Sequence, residues 1–173
     1  STSVTTGTDG SATLSAIPAG VYVVREESVP EPYIVSNTEQ TVALRPGKTS
    51  EVTFVDYEKP GLEILKKNIA TGEPIEGVTY LIEQIDGSYS TSATTDSAGR
   101  IFLDSIPVGS YRITEKNVPS HVILSEIPQE VYLEAGCTRT VTFFNAVKPS
   151  LTILKRNSVT GDPLSNAKFH IYY

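Results

Sequence analysis

The sequence repeats itself at a constant offset of 89 residues, and this repeat restricts the available folds more than any other feature. Three pairs of segments share the offset without insertion or deletion. They are IPAGVYVVREESVP (17–30) with IPVGSYRITEKNVP (106–119), VALRPGKTSEVTFVD (42–56) with VYLEAGCTRTVTFFN (131–145), and LEILKKNIATGEPI (62–75) with LTILKRNSVTGDPL (151–164). We therefore predict tandem domains of one kind.

The phase of the repeat predicts the domain boundaries. Residues 60–148 form a complete repeat, residues 1–59 are the C-terminal part of a first repeat, and residues 149–173 are the N-terminal strands of a third. Two interpretations remain open. The sequence is a section of a longer array, or it is a fibre subunit completed head to tail when 149–173 docks on 1–59 of a neighbour.

Short runs rich in Val, Ile, Thr, Tyr and Phe predict an all-β structure. The runs are VYVV, TVAL, EVTFV, LEIL, VTYLIEQ, IFLD, YRIT, VYLE, TVTFF and KFHIYY, with turn residues such as RPGK, ATGEP and IDGS between them. No stretch has a sustained helical period. The spacing of strands and turns favours an immunoglobulin-like β-sandwich in each repeat.

Composition excludes several classes of function. The chain has 14 Lys+Arg against 20 Asp+Glu, a net charge of −6, which argues against a nucleic-acid partner. Apolar runs are too short to insert in a membrane. No zinc or nucleotide motif is present and neither His121 nor His170 has a ligand at metal spacing, so we expect no metal and no cofactor. The single cysteine, Cys137, is either without a role or available for pairing between chains.

Three predicted strands place a polar residue where the alternation requires an apolar one. Lys66 follows Ile64, Glu115 follows Ile113 and Asn145 follows Phe143 on the inward face. The same positions in the incomplete repeats hold Glu26, Asp56 and Lys155.

Three explanations of these polar positions are open. The side chains could be solvated at strand ends, or they could form a buried salt bridge of Lys66 with Glu115 in which Asn145 bonds both. They could also react, because burial disfavours both charged forms. A neutral lysine amine is a nucleophile, and a protonated glutamate can polarise an amide and move protons. The product would be a Lys–Asn isopeptide bond.

Two motifs resemble the B-type repeat of Gram-positive collagen-adhesin proteins, which also occurs in sortase-assembled pilins. One is the lysine strand followed by K-N or R-N and then T-G-x-P-[IL]; the other is TDSAGRIFLDSIPVGSYRITEKNVP (95–119). The resemblance implies a prealbumin-like, inverse immunoglobulin sandwich. It also implies spontaneous intramolecular Lys–Asn or Lys–Asp bonds that form with the help of a buried glutamate.

By position, the resemblance makes Lys66 the donor, Asn145 the acceptor and Glu115 the proton shuttle of the complete repeat. Glu26 would be the shuttle and Asp56 the acceptor of the first repeat, and Lys155 the donor of the third. The sequence departs from the family in loops, with Pro32 where the family commonly has Gly.

The resulting expectation is a stalk or filament segment of a protein outside a Gram-positive cell, on its surface or anchored to its wall. Its partners would be neighbouring repeats or identical subunits, and it would not be an enzyme for external substrates. The alternative is an adhesin module that binds host matrix or carbohydrate, for which the sequence offers no binding site.

Overall fold

The computed structural model describes residues 1–172, and all regular secondary structure in that range is β-strand. The all-β prediction is therefore confirmed. The strands are β1 (Gly20–Val24), β2 (Tyr33–Ile34), β3 (Gln40–Leu44), β4 (Tyr57–Glu58), β5 (Gly61–Asn68), β6 (Thr79–Gln84), β7 (Ser90–Thr94), β8 (Arg100–Leu103), β9 (Gly109–Asn117), β10 (Gln129–Leu133) and β11 (Thr138–Asn145).

Residues 61–145 form a sandwich of two sheets. One sheet has the strand order β10-β9-β6-β7 and the other has the order β11-β5-β8. Alternate side chains of both sheets meet in one core, because successive strand residues point to opposite faces. The fully buried members are Leu62, Ile64, Val78, Tyr80, Ile82, Tyr111, Ile113 and Leu133.

The first and last strands of this sandwich are parallel neighbours. β5 and β11 pair in register from Gly61 with Thr138 to Asn68 with Asn145, while β8 pairs antiparallel on the other side of β5. Because β5 and β11 run in the same direction, the chain enters the sandwich at one end and leaves at the other. Eight residues at 3.3 Å each place these ends roughly 25 Å apart.

Residues 1–58 repeat part of this arrangement. β1 pairs with β3 from Gly20 with Leu44, and β9 pairs with β10 from Gly109 with Leu133, which is the same register shifted by 89. The arrangement of partial and complete repeats nevertheless stays a prediction about domain boundaries, because paired strands alone do not define where a domain begins.

The segments that lead into and out of the sandwich also share one geometry. β2 pairs with β4 through Tyr33 and Glu58, and an isolated bridge joins the corresponding Val122 and Val147. Lys59 N donates to Pro32 O at 2.9 Å, and Lys148 N donates to His121 O at 2.7 Å. Both connections are therefore fixed by backbone hydrogen bonds.

The segment between the two parts of the chain also contacts the sandwich. Gly136 N donates to Glu58 O at 2.7 Å. Gly136 has a φ of +71°, and a Cβ there would lie 3.3 Å from Cδ1 of Tyr57. The turn between β10 and β11 is thus shaped to accept the preceding linker.

Three predicted strands are wrong, and one of them is LTIL (151–154), because residues 149–172 contain no strand. EVTFV (51–55) is not a strand, although its counterpart in β11 is, because β11 pairs with β5 and residues 1–59 contain no equivalent of β5. KFHIYY forms no strand over 168–172, and Tyr173 lies outside the described residues. Its counterpart β6 is held between β7 and β9, and residues 149–172 contain no segment matching either. A β-rich sequence needs a neighbour to become a strand.

Candidate functional site

In three core strands, the last residue of the inward-facing row has a polar side chain. Lys66 in β5, Glu115 in β9 and Asn145 in β11 are 1%, 2% and 3% exposed. Side chains of these types are rarely buried unless they are paired. The explanation that they are solvated strand ends is therefore wrong for the sandwich of residues 61–145.

Glu115 contacts both other groups, one with each carboxyl oxygen. Lys66 Nζ lies 2.8 Å from Glu115 Oε2, and Asn145 Nδ2 lies 2.5 Å from Glu115 Oε1. Asn145 has no hydrogen bond to Lys66, so the network with Asn145 bonded to both is wrong in that detail. The glutamate is on one sheet, and the lysine and asparagine are on the other. The site thus spans the core between the sheets.

The register of β5 and β11 explains why Lys66 and Asn145 share a site. Lys66 pairs with Phe143, and Asn145 is the next inward residue after Phe143. Lys66 Nζ lies 5.8 Å from the centre of the Phe143 ring. The Tyr80 and Phe143 rings pack with their centres 4.8 Å apart. Aromatic surface therefore shields the amine from water.

Burial makes the lysine easier to deprotonate than a lysine in water. Burial lowers the pKa of Lys66, while the hydrogen bond and charge of Glu115 act in the opposite direction and only partly offset it. Burial, followed by the charge of Glu115, raises the pKa of Tyr80, so this phenol stays protonated. Asn145 Oδ1 is buried and has no hydrogen-bond partner among the described residues. That oxygen is available for polarisation by a proton donor.

Two further groups orient Glu115, and the sequence alone did not indicate them. Tyr80 OH donates to Oε2 at 3.3 Å, and the backbone N–H of Ser125 donates to Oε1 at 3.0 Å. Tyr80 alternates with Ile82 like any core residue, so its hydroxyl gave no separate signal. The corresponding residue near the end of the chain is Phe169.

The first repeat keeps part of this arrangement. Ser36 N donates to Glu26 Oε2 at 2.8 Å, which matches the contact of Ser125 with Glu115. Glu26 and Asp56 are half-buried, and Asp56 Oδ1 is buried without a hydrogen-bond partner among residues 1–172. Lys155 is exposed and forms no ion pair within the described chain. The structure therefore does not bring the donor of the third repeat to the acceptor of the first.

Two other features were looked for in residues 1–172, a metal-binding group and a membrane-spanning helix. No group of three or more His, Cys, Asp or Glu residues in that range could hold a metal ion. The described part of the chain also has no helix that is long and apolar enough to cross a membrane. The side chains of Lys66 and Glu115 are 0% exposed, so an external substrate cannot contact them.

The two-sheet sandwich with parallel first and last strands defines a prealbumin-like β-sandwich protein. The family model of the SpaA prealbumin-like fold domain matches residues 1–58 and 60–147, and the chain belongs to this family. No curated protein sequence matches the chain.

Solved structures are similar to the chain at low sequence identity. The Bacillus anthracis TIE protein is 20% identical, with a TM-score of 0.50, and the match covers 76% of this chain and 25% of that one. GBS52, the minor pilin of the Gram-positive pathogen Streptococcus agalactiae, is 19% identical, with a TM-score of 0.49 and coverages of 87% and 69%. The major pilin SpaD of Corynebacterium diphtheriae is 20% identical, with a TM-score of 0.47 and coverages of 54% and 32%. The chain thus spans a quarter of the length of TIE and a third of that of SpaD.

Proposed function

We propose that this chain is a stalk or filament segment of a bacterial surface protein, stiffened by an isopeptide bond between Lys66 and Asn145 that forms without an external enzyme. The observation that carries the proposal is the position of Glu115. One carboxyl oxygen contacts the amine at 2.8 Å and the other contacts the amide at 2.5 Å. Membership of the SpaA prealbumin-like family and the pilin neighbours support an extracellular location on a Gram-positive cell.

The reaction begins with a proton transfer. Lys66 passes a proton to Glu115 along their 2.8 Å contact, which converts a buried ion pair into a neutral pair. Neutralisation is favourable in a low-dielectric core because neither group then requires solvation. The free amine attacks Cγ of Asn145, and the C–Nδ2 bond breaks. The carboxyl group of Glu115 delivers the proton that Nδ2 needs to leave and then takes a second proton from the attacking nitrogen. The products are a secondary amide, one ammonia and a protonated Glu115.

The buried oxygen of Asn145 supports a second role for a protonated Glu115, that of polarising the carbonyl. Rotating the amide about its Cβ–Cγ bond brings Oδ1 to the place of Nδ2, beside Glu115 Oε1. That contact is a hydrogen bond only when the carboxyl carries a proton. A protonated Glu115 then polarises the carbonyl and satisfies an oxygen that otherwise has no partner. The close packing supplies the high effective concentration that amide exchange requires.

The position of the bond suits a protein that bears tension. Force applied through the segments before Gly61 and after Asn145 would pass along β5 to Lys66, cross the new bond, and leave at Asn145. Residues 67–144 lie outside that path. Pulling the sandwich apart would then require breaking a covalent bond instead of separating strands.

Intact-mass spectrometry of the chain 1–173 tests the proposal. We expect a mass one ammonia below that of the plain sequence, and a digest in which peptides containing Lys66 and Asn145 remain joined. Glu115→Ala should restore the plain mass. Glu130→Gln is the control, because Glu130 belongs to an exposed ion pair with Arg112 at 2.9 Å, and it should keep the ammonia loss. A wild-type chain with the plain mass would refute the Lys66–Asn145 bond.

A further inference from the structure

The residues directly after Asn145 pair with a loop that belongs to the other sheet. We call residues 146–148 the strap, and the loop is residues 118–128 between β9 and β10. An isolated antiparallel bridge joins Val122 of the loop to Val147 of the strap. Val122 is 2% exposed and belongs to the core, so the loop is anchored where the strap meets it. Three hydrogen bonds complete the contact, from Ile123 N to Ala146 O at 2.9 Å, from Lys148 N to His121 O at 2.7 Å, and from Lys148 Nζ to Ser120 O at 2.7 Å.

The same loop holds the carboxyl group of Glu115. Ser125 N donates to Glu115 Oε1 at 3.0 Å, and this oxygen also accepts from Asn145 Nδ2. A carboxyl oxygen can accept from an N–H whether or not the group carries a proton. The contact with Ser125 can therefore keep the carboxyl group in one orientation before and after Lys66 passes it a proton.

These contacts form a closed ring around the reacting groups. From Glu115 the ring follows the loop to Ile123 and crosses to Ala146 by a backbone hydrogen bond. It then passes to the adjacent Asn145 and returns to Glu115 through Nδ2. Glu115 and Asn145 are on different sheets, so strand pairing does not fix the distance between them. The strap and the loop supply a backbone connection between the sheets beside the site.

The first repeat keeps this backbone arrangement although its paired side chains differ. Where the complete repeat pairs two valines, the first repeat pairs Tyr33 with Glu58. Ser36 N donates to Glu26 Oε2 at 2.8 Å, and each serine lies ten positions after its glutamate. A geometry that persists with such different side chains depends on the backbone and not on the packing of particular residues.

We propose that the strap positions Glu115, and that the Lys66–Asn145 bond forms only after the strap has paired with the loop. This inference rests on the bond proposed above and concerns its timing. Without the paired strap the loop no longer fixes the Ser125 N–H, and the carboxyl group loses its orientation toward the amide. The cross-link therefore closes last, once the chain beyond its acceptor is in place, and a partly folded sandwich is not locked.

Single backbone donors can be removed by proline, which has no N–H. In the chain 1–173, Lys148→Pro deletes the N–H that bonds His121 O, whereas the control Lys148→Ala deletes only the Nζ contact. The chains are made by cell-free synthesis, stopped with acid at set times, and measured by intact mass. We expect Lys148→Pro to lose ammonia roughly 10- to 100-fold more slowly than Lys148→Ala, because misplaced groups lose effective concentration.

A second pair of variants acts at the other end of the loop. Ser125→Pro deletes the N–H that contacts Glu115, and Ser125→Ala keeps it. Ser125→Pro should slow ammonia loss as Lys148→Pro does, while Ser125→Ala should react at the wild-type rate. The double variant with both proline substitutions should be no slower than the slower single variant, because both changes act through one contact. Independent effects on folding would instead multiply.

Equal rates in Lys148→Pro and Lys148→Ala would overturn the role of the strap and leave the Lys66–Asn145 bond standing, as would effects that multiply in the double variant. A wild-type chain that keeps its plain mass would overturn both the bond and the role of the strap. Near-UV circular dichroism of unreacted Lys148→Pro should match that of Asn145→Ala, an unbonded chain with an intact strap. If Lys148→Pro does not fold, the Ser125 pair decides, and a wild-type rate in Ser125→Pro would overturn the proposal.

Discussion

Replacing Asn145 with Ala should lower the stability of the sandwich far more than the loss of one side chain explains. The substitution removes the acceptor but keeps the ion pair of Lys66 with Glu115. A bond from residue 66 to residue 145 closes a loop of roughly 80 residues, for which the chain-entropy relation gives about 4.5 kcal/mol at 25 °C. Loss of the hydrogen bond to Glu115 adds about 1–2 kcal/mol. The total corresponds to a fall in Tm of about 20–50 °C for a domain of this size.

A double-mutant cycle separates the bond from the lost contact. In a Glu115→Gln background no bond forms, so Asn145→Ala should then cost only about 1–2 kcal/mol in urea and thermal denaturation. The coupling energy between the two positions should be about 4–5 kcal/mol, with the bonded state of each variant checked by intact mass. Equal effects of Asn145→Ala in both backgrounds would refute the reasoning.

Three further predictions concern the surroundings of the site. In Glu115→Gln, the free energy of unfolding should rise with pH below 10.5. Burial lowers the folded-state pKa of Lys66, so the unfolded chain binds more protons than the folded chain in this range. Urea melts across pH 6–9 should show this slope of stability against pH, and Lys66→Met should remove it. Tyr80→Phe should still lose one ammonia by intact mass, because Lys66 and Asn145 contact Glu115 directly and the Tyr80 hydroxyl bonds only to the glutamate. Persistence of unreacted chain would contradict this. Gly136→Ala should lower the free energy of unfolding in urea melts by about 1–2 kcal/mol, and by more than Gly87→Ala does. Both glycines have a positive φ, but only a Cβ at Gly136 would contact the ring of Tyr57. Equal losses in the two variants would count against that contact.

The inward rows of the core strands could be predicted from sequence because alternation is a local property. Leu62 and Ile64 lead to Lys66, and a period of two fixes which face each residue occupies. The repeat then identified the same polar positions twice. The pattern placed Lys66, Glu115 and Asn145 on the inward face but left solvated strand ends open, and their burial became evident only in the structure.

Other features depended on partners distant in the sequence. EVTFV has the composition of a strand. A strand also requires hydrogen bonds to a neighbouring strand, and composition does not indicate whether that neighbour is present. Ser125 N–H contacts Glu115 through a loop without periodicity, so the sequence carries no signal for it. The roles of Lys66, Glu115 and Asn145 in bond formation stay predictions until a mass is measured.

The parallel pairing of β5 and β11 also determines how far such a protein could lengthen. Without a bond, residues 67–144 would unravel under load and add roughly 250 Å of extended chain for each repeat. With Lys66 joined to Asn145, residues 67–144 could not be extended by force, and each repeat would keep an end-to-end distance set by its folded strands. An array of such repeats would behave as an inextensible tether, whose reach depends on the number of repeats and not on the load.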